Sequence, residues 1–420
     1  MKSLSLAAFL TLNLAIFATH TSNAQVPEEA MQHAMAVLRA SPIVDTHNDL
    51  PWVIREKANG DLEQYDLSVR TEHDTDIPRL REGMVGTQFW SAWVPSALSP
   101  LDAMRQQLEQ LDLIRRMISA YPDDFGLAVS TADIEREQRQ GRIASLIGIE
   151  GGHSMGNSLG ALRAYYGLGV RYMTLTHFHT TDWADSATGD ARHDGITPFG
   201  EEVVREMNRL GMIVDISHVS DAAMNDVLQV TEAPVIFSHS SARALTNHVR
   251  NVPDYILKQM PENGGVVMVS FIPAFVSEPV NIWEEDLLPL LKEAKNDTEW
   301  QQITNQYRAE HGQPPVATLD DVADHIEHIA KVAGINHVGI GADFYGTEVE
   351  YELVQGLEDV SKYPALFAEL VHRGWSDDSL RKLARDNLLR VFREVEQLSA
   401  RARLSRPPSL AIIEEPDEKP

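Results

Sequence analysis

Eight short apolar runs set the limits on what this chain can fold into. They span about 43–47, 85–94, 144–150, 171–177, 212–218, 235–239, 265–271 and 337–343, and turn residues bound each of them. Runs without polar alternation suit strands buried on both faces, which is the condition inside a parallel sheet. Helix-like stretches separate the runs. Pro100–Tyr121 carries Met104, Leu108, Leu111, Ile114, Met117 and Ile118 at helical spacing. Phe199–Leu210 runs into Gly211, a C-cap residue, and Ser220 stands where an N-cap belongs. A long terminal helix is expected over Ser376–Leu398. Strands alternating with helices predict a parallel α/β fold, and eight such units over 420 residues predict a closed (β/α)8 barrel of the TIM type. The long insert before the last strand, about Ile272–Asn336, is expected to form extra helices. One domain over 25–405 should be followed by a disordered tail from Arg406, rich in Pro and Glu.

The ends of these runs carry the chemistry. The first ends in Asp45-Thr46-His47-Asn48-Asp49, where His47 and Asp49 are two apart and so share one side of an extended chain. The others end in Glu150, His177, His218, His239 and Asp343. In a barrel the C-terminal strand ends converge on one mouth. Four histidines and three carboxylates would share that space, and a bound cation relieves the repulsion among the carboxylates. With no cysteine in the chain, any metal site is built from nitrogen and oxygen, which suits Zn²⁺, with Mn²⁺, Co²⁺ or Fe²⁺ as alternatives. Seven ligand-type groups exceed the roughly three that one catalytic zinc takes, so two metals are expected. A pair needs a bridging anion. No lysine ends a strand, which leaves Glu150 as the best bridge.

Charge and the first residues bound the setting. Lys and Arg number 36 against 62 Asp and Glu, a net charge of −26. That argues against nucleic acid and anionic lipid as partners. Lys2, the apolar run Leu4–Phe17 and the small residues Ser22-Asn23-Ala24 read as an export leader over 1–24, cleaved before Gln25. The apolar run is shorter than the ~20 residues a spanning helix needs, so the mature protein is expected to be soluble, exported to the periplasm or beyond, and without a membrane anchor.

The motifs resemble one known family. Asp45-Thr46-His47-Asn48-Asp49-Leu50-Pro51, Ile147-Gly148-Ile149-Glu150-Gly151-Gly152-His153-Ser154, Thr174-Leu175-Thr176-His177, Asp215-Ile216-Ser217-His218-Val219-Ser220, Phe237-Ser238-His239-Ser240-Ser241, Arg250-Asn251-Val252-Pro253-Asp254, Gly339-Ile340-Gly341-Ala342-Asp343-Phe344 and Asn387-Leu388-Leu389-Arg390-Val391-Phe392 look like the membrane (renal) dipeptidase family. The match runs over about residues 36 to 398. The resemblance implies a (β/α)8 barrel with two zinc ions that cleaves dipeptides. His47 and Asp49 would hold one zinc, His218 and His239 the other, and Glu150 would bridge them. His177 would face the substrate carbonyl, Arg250 would hold the substrate carboxylate, and Asp343 would sit against the bridging water. From that place Asp343 is expected to take the water proton and pass it to the leaving amine. Members of that family commonly form homodimers, though no interface is legible here. Two departures stand out: Tyr345 replaces an Asp often found two residues after the one matching Asp343, and the lipid-anchor signal and cysteines of the animal members are absent.

The residues leave several questions open. His153 could hydrogen-bond near Glu150 or simply pack. Trp183 and Asp185 are expected to line the pocket from their position after the fourth run. Dipeptides, with C-terminal D-residues among them, are the first substrate class. N-acyl amino acids or a cyclic amide are the alternative on the same metals, and a non-catalytic exported binding barrel is a third reading that predicts no bound metal.

Overall fold

The computed structural model describes residues 27–291, 297–347 and 352–413; the leader over 1–24 and the end of the tail, 414–420, lie outside them. Among the described residues there are nine parallel strands: β1 (Ile43–Asp45), β2 (Val85–Trp93), β3 (Phe125–Leu127), β4 (Ile143–Glu150), β5 (Val170–Thr174), β6 (Ile213–Asp215), β7 (Ile236–Phe237), β8 (Val266–Val269) and β9 (Val338–Ile340). Their order is β2-β1-β9-β8-β7-β6-β5-β4, and β2 pairs back onto β4, which closes an eight-stranded barrel. All eight expected runs supply those strands.

The ninth strand, β3, is not legible as a run. It has three residues and, among the described residues, pairs only with the start of β4, along Ile143–Ser145. β5 takes over beside the later half of β4, from Ile147 onward. β3 thus fills the edge that β5 leaves bare below the barrel.

The helices follow their expected signals. Pro100–Ala120 is helical, with Ser99 accepting from the Asp102 amide. Pro198–Leu210 ends at Gly211 with φ +82, and Ser220 caps Asp221–Val230 by accepting from the Ala223 amide. The insert holds the helices Pro273–Val276, Glu278–Leu291, Asp297–His311 and Leu319–Val332. Trp283, Leu287 and Tyr307 form a small apolar cluster of their own there. The terminal helix differs from expectation. It starts as Asp377–Arg381, passes through a π-helical turn at Lys382–Asp386 and continues as Asn387–Ser405. Within that stretch Asn387 gives both amide hydrogens to the carbonyls of Ile335 and Val338, which fixes the helix under β9.

Arg406 to Ile413 have no helix or strand. Arg406 pairs with Glu232, and Ser409 donates to Glu202 and Glu206, so this stretch lies along the helix Pro198–Leu210. Among the described residues no helix is long and apolar enough to cross a membrane.

Candidate metal centre

Register brings the strand ends to one level. Trp93 at the end of β2 pairs with Glu150, Glu150 with Thr174, and Thr174 with Asp215. The chain then turns out of each strand and points the next side chains at a common centre. Two of these turns use left-handed backbone on non-glycine residues, His218 at φ +65 and Asp343 at φ +69. Such conformations cost on the order of 1 kcal/mol or more and persist where the surroundings enforce them, commonly at functional sites.

Glu150 lies at the middle. Its Oε2 is 3.5 Å from His47 Nε2, and its Oε1 is 3.0, 3.4 and 3.5 Å from the Nε2 atoms of His218, His239 and His177. Asp49 and Asp343 flank His47 at 3.4 and 3.7 Å. The ligand atoms form three overlapping triads: His47, Glu150 and His239; Glu150, His177 and His218; and His47, Asp49 and Asp343. All seven residues singled out in the sequence therefore meet at one place. Arg250 approaches the same place from the loop after β7.

The donor set fits divalent metal. His47 Nδ1 lies 2.9 Å from the Tyr172 hydroxyl, which gives its own hydrogen to the Thr46 carbonyl. His239 Nδ1 lies 2.8 Å from the Ser238 hydroxyl, which donates to Asp215. Each imidazole must then donate from Nδ1, leaving the Nε2 lone pair aimed at carboxylate oxygens. A lone pair facing an anion is repulsive unless a proton or a metal sits between them. The buried His47 Nε2 and Asp49 Oδ1 accordingly have no hydrogen-bond partner among the described residues.

Electrostatics agree with that picture. Burial lowers the pKa of His47, but the Tyr172 hydroxyl and the carboxylates of Glu150 and Asp49 more than reverse this, so it ends well above the ordinary value. Burial drives His218 and His239 well below theirs, with further lowering from Arg250 and from neighbouring histidines. Burial also opposes ionisation of Glu150, yet His47 and His177 hold it well below the usual carboxylate range. Asp343 is raised to about 7, mainly by burial.

Arg250 is 2% exposed and has no ion pair with a described carboxylate. Its Nη2 donates to the His239 carbonyl at 3.2 Å and its Nη1 to Ser240 Oγ at 3.4 Å, while its Nε has no partner among the described residues. Burial lowers it to about 10, so it is still a cation near neutral pH. A buried guanidinium with spare donors suits an incoming anion.

The remaining expectations divide. His153 makes no hydrogen bond to Glu150 among the described residues; its ring faces the backbone of Val94 and Pro95, and burial is the main force that pushes its pKa down to about 4, which favours packing over a contact with Glu150. Trp183 and Asp185 do not line the pocket as expected. Trp183 is fully buried against Phe199, and Asp185 accepts from the amides of Arg192, His193 and Gly195 within its own loop. Tyr345 is 36% exposed beside Asp343 and donates to Glu352.

Sequence reasoning missed the supporting residues. Asp215 accepts from Thr174, Ser217 and Ser238, which ties three strand ends together. Asp45 accepts from the amides of His47 and Ala342 and from the Tyr363 hydroxyl, which joins β1 to β9. Their signal was available: each is an acidic residue ending an apolar run, two or three positions before a site histidine. Tyr172 carried no such signal.

Comparison with known proteins agrees with this geometry. Residues 31–406 match the family model described as membrane dipeptidase (Peptidase family M19). The chain is 43% identical over 372 residues to Dipeptidase 3 of Mus musculus, covering 87% of this chain and 67% of the mouse protein. Dipeptidase 3 of Rattus norvegicus is equally similar, with 68% of its length covered. A probable dipeptidase of Pseudomonas aeruginosa shares the fold with a TM-score of 0.76 at 24% identity, over 89% of this chain and 100% of that one. A metallo peptidase of Rhodobacter sphaeroides, solved with a phosphinate mimic of the dipeptide L-Ala-D-Ala, shares it with a TM-score of 0.70 at 23% identity, over 84% and 99%.

Proposed function

The chain belongs to the membrane dipeptidase family, and from that premise we propose that it is a dipeptidase carrying two zinc ions and acting on dipeptides with a free C-terminal carboxylate. The observation that carries the reading is Glu150, which turns one oxygen to His47 and the other to His177, His218 and His239. In this reading His47 and Asp49 hold one ion, His218 and His239 the other, and Glu150 reaches both. When bound, the ions supply an acidified water and Lewis acidity toward the scissile carbonyl.

The other roles fall to the chain's own side chains. Arg250 binds the substrate carboxylate through its spare guanidinium hydrogens and so sets the register of a two-residue substrate. His177 donates from Nε2 to the carbonyl oxygen as negative charge builds there. Asp343 takes the proton of the attacking water and delivers it to the leaving amine, a task suited to a carboxyl whose pKa is raised toward neutrality.

C-terminal D-residues fall within the proposal because the Rhodobacter sphaeroides relative was solved with a mimic of L-Ala-D-Ala. Export belongs to it too, resting on the leader read over 1–24. The deciding experiment is a panel of dipeptides, Xaa-D-Ala compounds, tripeptides and N-acyl amino acids offered to zinc-loaded protein. Turnover confined to dipeptides supports the reading. Preferential turnover of N-acyl amino acids, or none at all with metal bound, overturns it.

A further inference from the structure

We propose that Trp93 is a positioning residue that fixes the tautomer of His177, so that His177 meets the substrate as a hydrogen-bond donor and does not ligate metal. The proposal rests on the reading of His177 given above.

The imidazoles around Glu150 differ in their outer partners. His47 and His239 have hydroxyl groups at Nδ1 that are already donating elsewhere, to Thr46 and Asp215 respectively, so those nitrogens donate and Nε2 is left as an acceptor. His177 has the opposite partner. The indole nitrogen of Trp93 donates to its Nδ1 at 3.4 Å. An indole N–H has no lone pair to offer, so Nδ1 must accept, and the ring hydrogen of a neutral imidazole then sits on Nε2. That nitrogen faces Glu150 Oε1 at 3.5 Å, inside the site. The spacing of Glu150, His177 and His218 could hold a cation. A nitrogen bearing hydrogen cannot ligate one. Three of the four imidazoles around Glu150 are thereby sorted, His47 and His239 as acceptors at Nε2 and His177 as a donor.

The placement of Trp93 is tied to the site. It ends β2 in register with Glu150, so the ladder that sets the height of the carboxylate also sets the height of the indole. Trp52 packs against it edge-on, with centroids 4.4 Å apart. Its own ring stands 5.6 Å from that of His177.

The test combines a spectrum and kinetics on the full chain loaded with zinc. Protein labelled with ¹⁵N in the histidine rings reports which nitrogen carries hydrogen, and loss of one spin system in His177→Asn assigns the signals. The wild type is expected to show His177 with hydrogen on Nε2. Trp93→Phe, which keeps a ring against Trp52 but lacks the N–H, is expected to give a mixed or reversed tautomer. Its kcat should fall about tenfold with KM and zinc content near wild type, since one donor to a developing oxyanion is worth about 10²–10³ when lost outright. A wild-type His177 with hydrogen on Nδ1 overturns the proposal, whether or not the variant folds. So does a Trp93→Phe protein whose His177 tautomer is unchanged, at any kcat. If His177→Asn keeps full kcat while the tautomer results hold, the donor role of His177 fails and the tautomer lock stands.

Discussion

Replacing Arg250 by Met should separate substrates by their C-terminal group. The guanidinium is 2% exposed, hydrogen-bonds to a carbonyl and a hydroxyl at 3.2 and 3.4 Å, and has no described carboxylate partner. A substrate carboxylate arriving there forms charge-assisted hydrogen bonds worth roughly 1.5–3 kcal/mol each. Truncating one member of a buried charge pair costs about 2–5 kcal/mol. A loss of about 3–4 kcal/mol is therefore expected, which is roughly a 150- to 1000-fold fall in kcat/KM for a free dipeptide. An amidated dipeptide never forms the charged pair, so its already low kcat/KM should change by less than about tenfold. Met keeps an apolar stem over Phe275, against which the guanidinium packs at 5.3 Å, so the fold should survive. The assay is kcat/KM for matched free and amidated dipeptides, alongside thermal melting of both proteins. Equal losses on the two substrates would refute the assignment of Arg250 to the carboxylate.

Three further perturbations probe the surroundings of the site. Tyr172→Phe removes the hydroxyl that holds His47 Nδ1 at 2.9 Å, and should weaken metal affinity about 10- to 100-fold in competition with a chelator; an unchanged affinity would mean the contact does not orient His47. Gly148→Ala should be worse, because a Cβ there would lie 2.0 Å from the Tyr172 ring; a lower Tm together with loss of metal is expected, and an unaltered protein would show that the ring has room to move. Buried His325, 1% exposed, accepts from the Ala242 amide and is pushed down to about 4 by burial. The unfolded histidine titrates near 6.5, so between there and about 4 the unfolded chain binds more protons and stability falls as pH falls. From about pH 7 to about pH 5 that one residue should cost roughly 2 kcal/mol, and His325→Gln should lose less stability than wild type over that range in urea unfolding.

Much of this was legible because two constraints act together on short stretches of chain. A barrel strand must be apolar on both faces, so β1, β2 and β4 to β9 announced themselves as runs. A barrel mouth gathers the residues just past the strand ends, so His47, Glu150, His218 and Asp343 could be placed together from the sequence alone. Residues obeying neither constraint were hidden. β3 has three residues and covers part of one edge, too little to leave a pattern. Tyr172 reads as an ordinary strand residue, and only the fold brings it to His47, 125 positions away. Trp93 likewise reads as the apolar end of a run until register sets it beside Glu150. Trp183 and Asp185 lie near β5 in sequence but not at the pocket. Their loop folds on itself, with Asp185 accepting from its own amides.

Zinc-edge anomalous diffraction from crystals of the purified protein, with metal content measured on the same sample, bears most directly on the two-ion centre. Two ions per chain are expected, one beside His47 and Asp49, one beside His218 and His239, with a Glu150 oxygen on each. A single ion, or a pair bound away from Glu150, would contradict that centre.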